Sequence, residues 1–168
     1  MPCCELSGSK GLAVDGPDAG EGIYQVLRDD GDHQKIRILT LLPSSDKKTQ
    51  IKCSLEIVSL KDHASYTALS YTWGDWVDRR EIFIDGHPLL ITANLHEALK
   101  RFRKSQDSIK LWVDAICINQ KDLPERDSQV RLMREIFCQA EQTWLWLGIE
   151  ADASEKALNL IERLSTIY

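Results

Sequence analysis

The fold is decided by the stretch LWVDAICINQKDLPER, residues 111–126. Its first eight residues are almost continuously apolar, which predicts a central strand of a parallel sheet over residues 111–118. Asp122, Pro124 and Glu125 follow in the order N-cap, early proline and capping acid, which predicts the start of a helix. Because ligands of α/β sheets bind where a strand passes into a helix, this junction is a candidate site.

Further strands and a helix precede this stretch. YTALSY (66–71) predicts a buried strand, and EIFIDGHPLLIT (81–92) predicts a hairpin that turns at Asp85–Gly86. A helix is predicted from Asn94, because Asn94 and Glu97 fit a capping box. The order of these elements places a helical connection between two strands that can lie parallel.

The remaining elements follow the same alternation. In the helix that starts near Asp122, the buried face is predicted to comprise Val130, Met133, Phe137 and Ala140. TWLWL (143–147) predicts a buried strand with Trp144 and Trp146 in the core, and a last helix is predicted near Asp152. Strands alternating with helices predict an α/β fold with a doubly wound, mostly parallel sheet and added β-hairpins.

The chain divides into a leader and one domain. Residues 1–22 hold five of the nine glycines and few residues that can be buried, which predicts a disordered leader. Residues 23–168 are predicted to form a single α/β domain. Within it, 23–62 form an N-terminal hairpin extension built on IRILTLL (36–42) and IKCSLEI (51–57), and 66–148 carry the core motifs.

Composition excludes several classes of protein. A net charge of −5 argues against a nucleic-acid-binding protein, and no apolar run is long enough for a membrane span. The five cysteines form no CxxC pair, which favours free thiols in a cytoplasmic protein and no metal site. The basic run KRFRK (100–104) closes a predicted helix, where cations face water and complement the helix dipole.

Polar and aromatic side chains follow the two predicted strands at the same edge of the sheet. Tyr71 and Trp73 offer stacking surface for a planar ring. Ser70, Asn119 and Gln120 offer neutral hydrogen bonds for ribose or amide groups. These five residues form a candidate site for a nucleotide, although both aromatic residues also suit a core.

Asp114 is a carboxylate with apolar neighbours on both sides. A buried carboxylate needs a partner or a raised pKa. We expect Asp114 either to cap the following loop or pair with Arg126, or to help line a ligand cleft. Cys117 and Arg126 are also included in the candidate site, although a buried, inert thiol is the default interpretation of Cys117 and Arg126 also suits a structural role.

Five segments resemble the fungal heterokaryon incompatibility (HET) domain: ALSYTWGD, ITANLHEAL, LWVDAICINQ, ER-x-x-QV-x-x-M and TWLWLG. They cover about residues 66–148. The resemblance implies a signalling module of non-self recognition that leads to programmed cell death, with itself or other signalling proteins as partners.

HET domains are in turn distantly similar to TIR domains. That similarity implies a flavodoxin-like sheet, action by self-assembly and, in some members, cleavage of NAD⁺ by a glutamate. Here it implies Glu155 or Glu150 as the catalytic residue and NAD⁺ as a candidate substrate, with no required cofactor. The same residues are compatible with a folded domain that has no activity of its own.

Overall fold

The computed structural model describes residues 22–27, 34–46 and 48–149. The predicted leader apart from Gly22, the predicted helix near Asp152 and both candidate glutamates lie outside these ranges. The described strands are β1 (Lys35–Leu41), β2 (Lys52–Ser59), β3 (Thr67–Tyr71), β4 (Arg79–Ile84), β5 (His87–Thr92), β6 (Ile109–Trp112) and β7 (Gln142–Trp146). The described helices are α1 (Ala93–Phe102), α2 (Asp114–Cys117) and α3 (Leu123–Gln139), with a short 3-10 turn at Leu60–Asp62.

The strands form one mixed sheet in the order β5-β4-β2-β1-β6-β3-β7. β1 is antiparallel to β2 and to β6, and β4 is antiparallel to β5. β4 is parallel to β2, and β3 is parallel to both β6 and β7. The α/β class is thus confirmed, but the prediction of a mostly parallel sheet is wrong, because the two longest pairings are antiparallel. A doubly wound arrangement is not confirmed.

The two predicted hairpins are present and explain the mixed sheet. β1 and β2 pair over seven residues and occupy the middle of the sheet, next to β6, so this hairpin belongs to the main sheet. The turn between β4 and β5 places Asp85 at φ 50° and Gly86 at φ 84°. A two-residue turn of this kind needs positive φ at both positions, which Asp-Gly tolerates well.

The strand predicted over residues 111–118 is wrong beyond Trp112. β6 ends there, and α2 begins at Asp114, where the Val113 carbonyl accepts hydrogen bonds from the amides of Ile116 (3.0 Å) and Cys117 (2.7 Å). A continuously apolar run does not distinguish a buried strand from a buried helical turn. The chain therefore leaves the sheet one residue before Asp114.

One helix N-cap differs from the prediction and the other agrees with it. The N-cap of α1 is Thr92, whose hydroxyl accepts from the Leu95 amide at 3.4 Å, so Asn94 lies inside the helix. Asp122 caps α3 as predicted, accepting from the Glu125 amide at 3.0 Å. The carboxylate of Glu125 does not complete a capping box, because it binds Arg37 instead.

The core lies between the sheet and its helices, and several burial predictions need correction. Val130 of α3 is exposed, and β7 is an edge strand with alternating exposure rather than a buried one. Trp144 and Trp146 of this strand are half-buried and pack near Phe102 of α1. None of the described helices has the length and apolarity needed to cross a membrane.

Arg103 departs from the predicted solvent-facing basic run. It is 6% exposed, and its guanidinium donates to the backbone carbonyls of Asp46, Thr49 and Gln50 at 3.0–3.2 Å. A charge that is removed from water needs such hydrogen bonds. Arg103 therefore fastens the end of α1 to the turn between β1 and β2.

Candidate functional site

A cleft of about 540 Å³ opens beside the carboxyl end of β3. Tyr71 and Trp73 line one side of it, and Asn119 and Gln120 line another. Four residues predicted as a site from sequence thus lie in one cleft. The structure adds further lining residues that sequence reasoning missed, among them Tyr24, Trp76 and Arg79.

Asp114 binds the aromatic residue Trp73 in the loop that follows β3. Its Oδ2 accepts a hydrogen bond of 2.9 Å from the Trp73 indole. Its Oδ1 accepts from the Ala115 amide at 2.7 Å, and its carbonyl accepts from Gln120 Nε2 at 2.9 Å. Asp114 therefore fixes the Trp73 ring by its indole nitrogen and joins it to the segment that carries Ala115 and Gln120.

Burial raises the pKa values of Asp114 and Tyr71. Removal from water raises the pKa of Asp114, although the hydrogen bond from Trp73 and the Ala115 amide oppose the increase. The pKa of Tyr71 is raised well above its ordinary value, first by burial and then by the neighbouring Asp114. The Tyr71 hydroxyl is thus a neutral donor at neutral pH.

The predicted contact between Asp114 and Arg126 is absent from the structure. Arg126 is 44% exposed on α3, and its described ionic contact is with Asp127, at 3.9 Å. The carboxylate of Asp114 binds the Trp73 indole and the Ala115 amide, and its backbone carbonyl binds Gln120 of the following loop. It supports the residues that line the cleft and is not itself one of them.

The carboxylate of Glu125 connects two other parts of the cleft wall, the N-terminal segment at Tyr24 and the loop at Asn119. Glu125 forms a two-pronged ion pair with Arg37, at 2.6 and 2.9 Å, and its Oε1 accepts from the Asn119 amide at 2.7 Å. The Arg37 guanidinium also donates to the carbonyls of Gln25 and Cys117 and lies 5.0 Å from the centre of the Tyr24 ring. The pair therefore connects the cleft's N-terminal segment to the loop before α3.

The other predicted site residues lie outside the cleft lining. Ser70 is half-buried on β3 opposite Leu145. Cys117 is fully buried, and burial raises the pKa of its thiol to about 12, so it is protonated and inert at neutral pH. Glu150 and Glu155 lie outside the described residues. No group of three or more metal-ligating side chains occurs among residues 22–27, 34–46 and 48–149.

Asn94 joins three segments next to this site and was missed as a functional candidate. Its Nδ2 donates to the Thr72 carbonyl at 2.6 Å, and its Oδ1 accepts from the Trp146 indole at 2.8 Å. Gly74 has φ 77°, and a Cβ placed there would lie 3.0 Å from Asn94 Cβ. The sequence signal for this role is Gly74, which follows Trp73 shortly after β3. A glycine at this position permits the close approach of Asn94 to the backbone.

Comparison with known proteins agrees with the sequence resemblance. Residues 66–167 match the family described as Heterokaryon incompatibility protein (HET). The chain is 36% identical over 139 residues to "Heterokaryon incompatibility protein 6, OR allele" of Neurospora crassa. That match covers 75% of this chain and 20% of the relative, so the chain spans about a fifth of the relative's length.

No solved structure matches the chain. The family match covers more than half of the sequence and includes β3 to β7, α1 to α3 and most of the cleft. The chain therefore belongs to the heterokaryon incompatibility (HET) family.

Proposed function

We propose that this chain is a signalling module of fungal non-self recognition, which triggers programmed cell death when incompatible cells fuse. The family match and the name of the Neurospora relative support this role. The module acts through self-association, as the resemblance to TIR domains implies.

The observation that carries self-association is the exposed edge of the sheet at β7. Leu145, Leu147 and Ile149 are 69%, 63% and 68% exposed. β7 pairs with β3 on one side, and no described strand pairs with its other edge. An apolar edge strand offers both backbone hydrogen bonds and apolar surface to a second copy of the chain.

Sedimentation velocity over a concentration series tests this proposal. We expect the wild type to associate as concentration rises and Leu145→Lys to remain monomeric, because a lysine at the edge opposes strand pairing. Leu90→Lys on β5, the opposite edge strand, is the matched control and should associate like the wild type. In a fungal host, growth arrest should follow association. A wild type that stays monomeric, or equal association of all three proteins, would contradict the proposal.

A second candidate function is cleavage of NAD⁺, and the cleft is the observation that favours it. Its aromatic walls suit a nicotinamide or adenine ring, and Asn119 and Gln120 can bond ribose or amide groups. A glutamate, Glu155 or Glu150, would stabilise positive charge on the ribose as nicotinamide leaves.

Nicotinamide release by the purified chain tests this second function. Glu155→Gln or Glu150→Gln should abolish release, whereas Glu141→Gln, an exposed acid before β7, should leave it unchanged. No release at any concentration would refute the hydrolase function and leave the self-association proposal standing. Release that survives both glutamate variants would refute the assignment of the catalytic residue.

A further inference from the structure

The charge of the cleft differs in sign from that of the chain. The sequence carries a net charge of −5, yet none of the described residues that line the cleft is acidic. Arg79 and Lys121 both line it. The cleft is thus a positively charged site on a negatively charged protein, which favours anions.

Arg79 is oriented to bind an anion. Its Nε donates to the Trp76 carbonyl at 2.9 Å, and its guanidinium lies 5.4 Å from the centre of the Trp76 ring. These contacts fix the side chain, and its two terminal nitrogens bond no described residue. A fixed guanidinium with two open donors matches a carboxylate or phosphate group.

Four aromatic side chains, those of Tyr24, Tyr71, Trp73 and Trp76, also line the cleft. Trp73 and Trp76 meet edge to face with ring centres 5.1 Å apart, and Trp76 is 50% exposed. Because Trp73 bonds Asp114 through its indole nitrogen, its ring surface is what it offers to a ligand. Exposed indole surface in a cleft suits a flat ring, which stacks without requiring specific hydrogen bonds.

The N-terminal segment supplies a further wall. Tyr24 lines the cleft, and the buried Arg37 holds it by its position over the ring and by a hydrogen bond to the Gln25 carbonyl. Ile23, the neighbouring residue, is buried in the core. Segment 22–27 is thus anchored on both sides of Tyr24, although it lies upstream of the family match.

We propose that the cleft binds a ligand in which a flat aromatic ring carries a negatively charged group, with the ring between Trp76 and Tyr24 and the charge at Arg79. The proposal deepens, and to that extent rests on, the ligand-binding role suggested for the cleft above. It requires neither self-association nor hydrolysis. Tyr24 is then a specificity-determining residue that the upstream segment contributes.

Calorimetry of the full chain with three probes tests the proposal. Adenosine 5′-monophosphate has both the ring and the charge, adenosine lacks the charge, and ribose 5-phosphate lacks the ring. We expect the monophosphate to bind roughly tenfold more tightly than either of the others, since a charge-assisted hydrogen bond contributes about that factor. The monophosphate has no nicotinamide bond, so its binding is measured independently of turnover and of association.

Substitutions assign the binding to the cleft. Arg79→Gln should weaken monophosphate binding roughly tenfold and leave adenosine binding unchanged. The neighbouring Arg80→Gln is the matched control, because Arg80 is exposed and pairs with Asp78. Tyr24→Ala should weaken both adenosine and the monophosphate, with an unchanged unfolding midpoint as evidence of a native fold. Equal binding of the monophosphate to adenosine or to ribose 5-phosphate, no saturable binding, or equal effects of the two arginine substitutions would overturn the proposal.

Discussion

Replacement of Glu125 by glutamine is expected to destabilise the fold far more than the loss of an ordinary surface ion pair. Glu125 and its partner Arg37 are 9% and 1% exposed, and two hydrogen bonds of 2.6 and 2.9 Å join them. Glutamine keeps the shape of the side chain but removes its charge and places an NH₂ group against the guanidinium. The cation of Arg37 then remains buried without a counter-charge.

The expected loss of unfolding free energy in Glu125→Gln follows from the burial of the Arg37–Glu125 pair. Removal of one partner of a buried ion pair costs roughly 3–5 kcal/mol, because the other charge is left uncompensated in a poorly solvated site. An exposed pair contributes about 1 kcal/mol or less. The chain contains a matched exposed pair, Lys110 and Glu56, at a similar distance of 2.7 Å but with side chains 50% and 44% exposed.

Urea denaturation of the wild type, Glu125→Gln and Glu56→Gln provides the comparison. We expect a loss of roughly 3–5 kcal/mol in the free energy of unfolding for Glu125→Gln and about 1 kcal/mol or less for Glu56→Gln. A double replacement, Arg37→Met with Glu125→Leu, should restore much of the loss because no charge stays buried. If Glu125→Gln costs no more than Glu56→Gln, the reasoning from burial is refuted.

Three further predictions concern Asp114, Asn94 and the thiols. The folded-state pKa of Asp114 is raised above its ordinary 3.8 by burial, so its contribution to stability is fully present below that pH and is lost as the pH rises through the folded-state pKa. The stability of the wild type relative to Asp114→Asn should therefore fall with rising pH in urea titrations, and a rise would contradict the inferred direction. Asn94→Ala should lower the free energy of unfolding by about 1 kcal/mol, because the half-buried Trp146 Nε1 and the Thr72 carbonyl lose their hydrogen bonds; a change within error in urea denaturation would contradict this. A thiol reagent followed by peptide mass mapping should modify the exposed Cys138 in the native protein and the buried Cys53 and Cys117 after unfolding, and native modification of Cys117 would show that the core opens there.

Sequence reasoning succeeded where a local signal fixes the structure. The hairpin at Asp85–Gly86 forms because that dipeptide adopts the positive φ values that a tight turn requires. Asp122 caps α3 because its carboxylate reaches an amide three residues on. The grouping of Tyr71 and Trp73 with Asn119 and Gln120 also followed from local order. Tyr71 and Trp73 lie at and beyond the end of β3, and Asn119 and Gln120 follow the adjacent β6 and the short helix α2.

Sequence reasoning failed where contacts between distant segments of the chain decide the structure. No local pattern shows that β1 lies between β2 and β6, which makes the sheet mixed rather than parallel. Arg37 was hidden within the apolar run 36–42, although a cation flanked by two fully buried isoleucines indicates a strand with both faces covered. Its partner Glu125 was assigned to a capping box, because spacing in the sequence cannot show that the carboxylate of Glu125 binds a guanidinium 88 residues away in the chain.

The segments shared with the family can now be explained by their contacts with one another. Asn94 of ITANLHEAL joins ALSYTWGD at Thr72 and TWLWLG at Trp146. Asp114 of LWVDAICINQ joins ALSYTWGD at Trp73. The motif residues therefore build and brace one side of the cleft, which explains why they occur together.

The opposite side of the cleft has a different origin. Tyr24 and its support Arg37 lie before residue 66, where the family match begins. In the proposed ligand site, the shared segments would provide most of the binding surface, and the upstream segment would adjust its selectivity. Exchange of Tyr24 for other side chains should therefore alter which ring the cleft prefers while the contacts of Asn94 and Asp114 persist. Such a division would let related proteins respond to different ligands with the same signalling core.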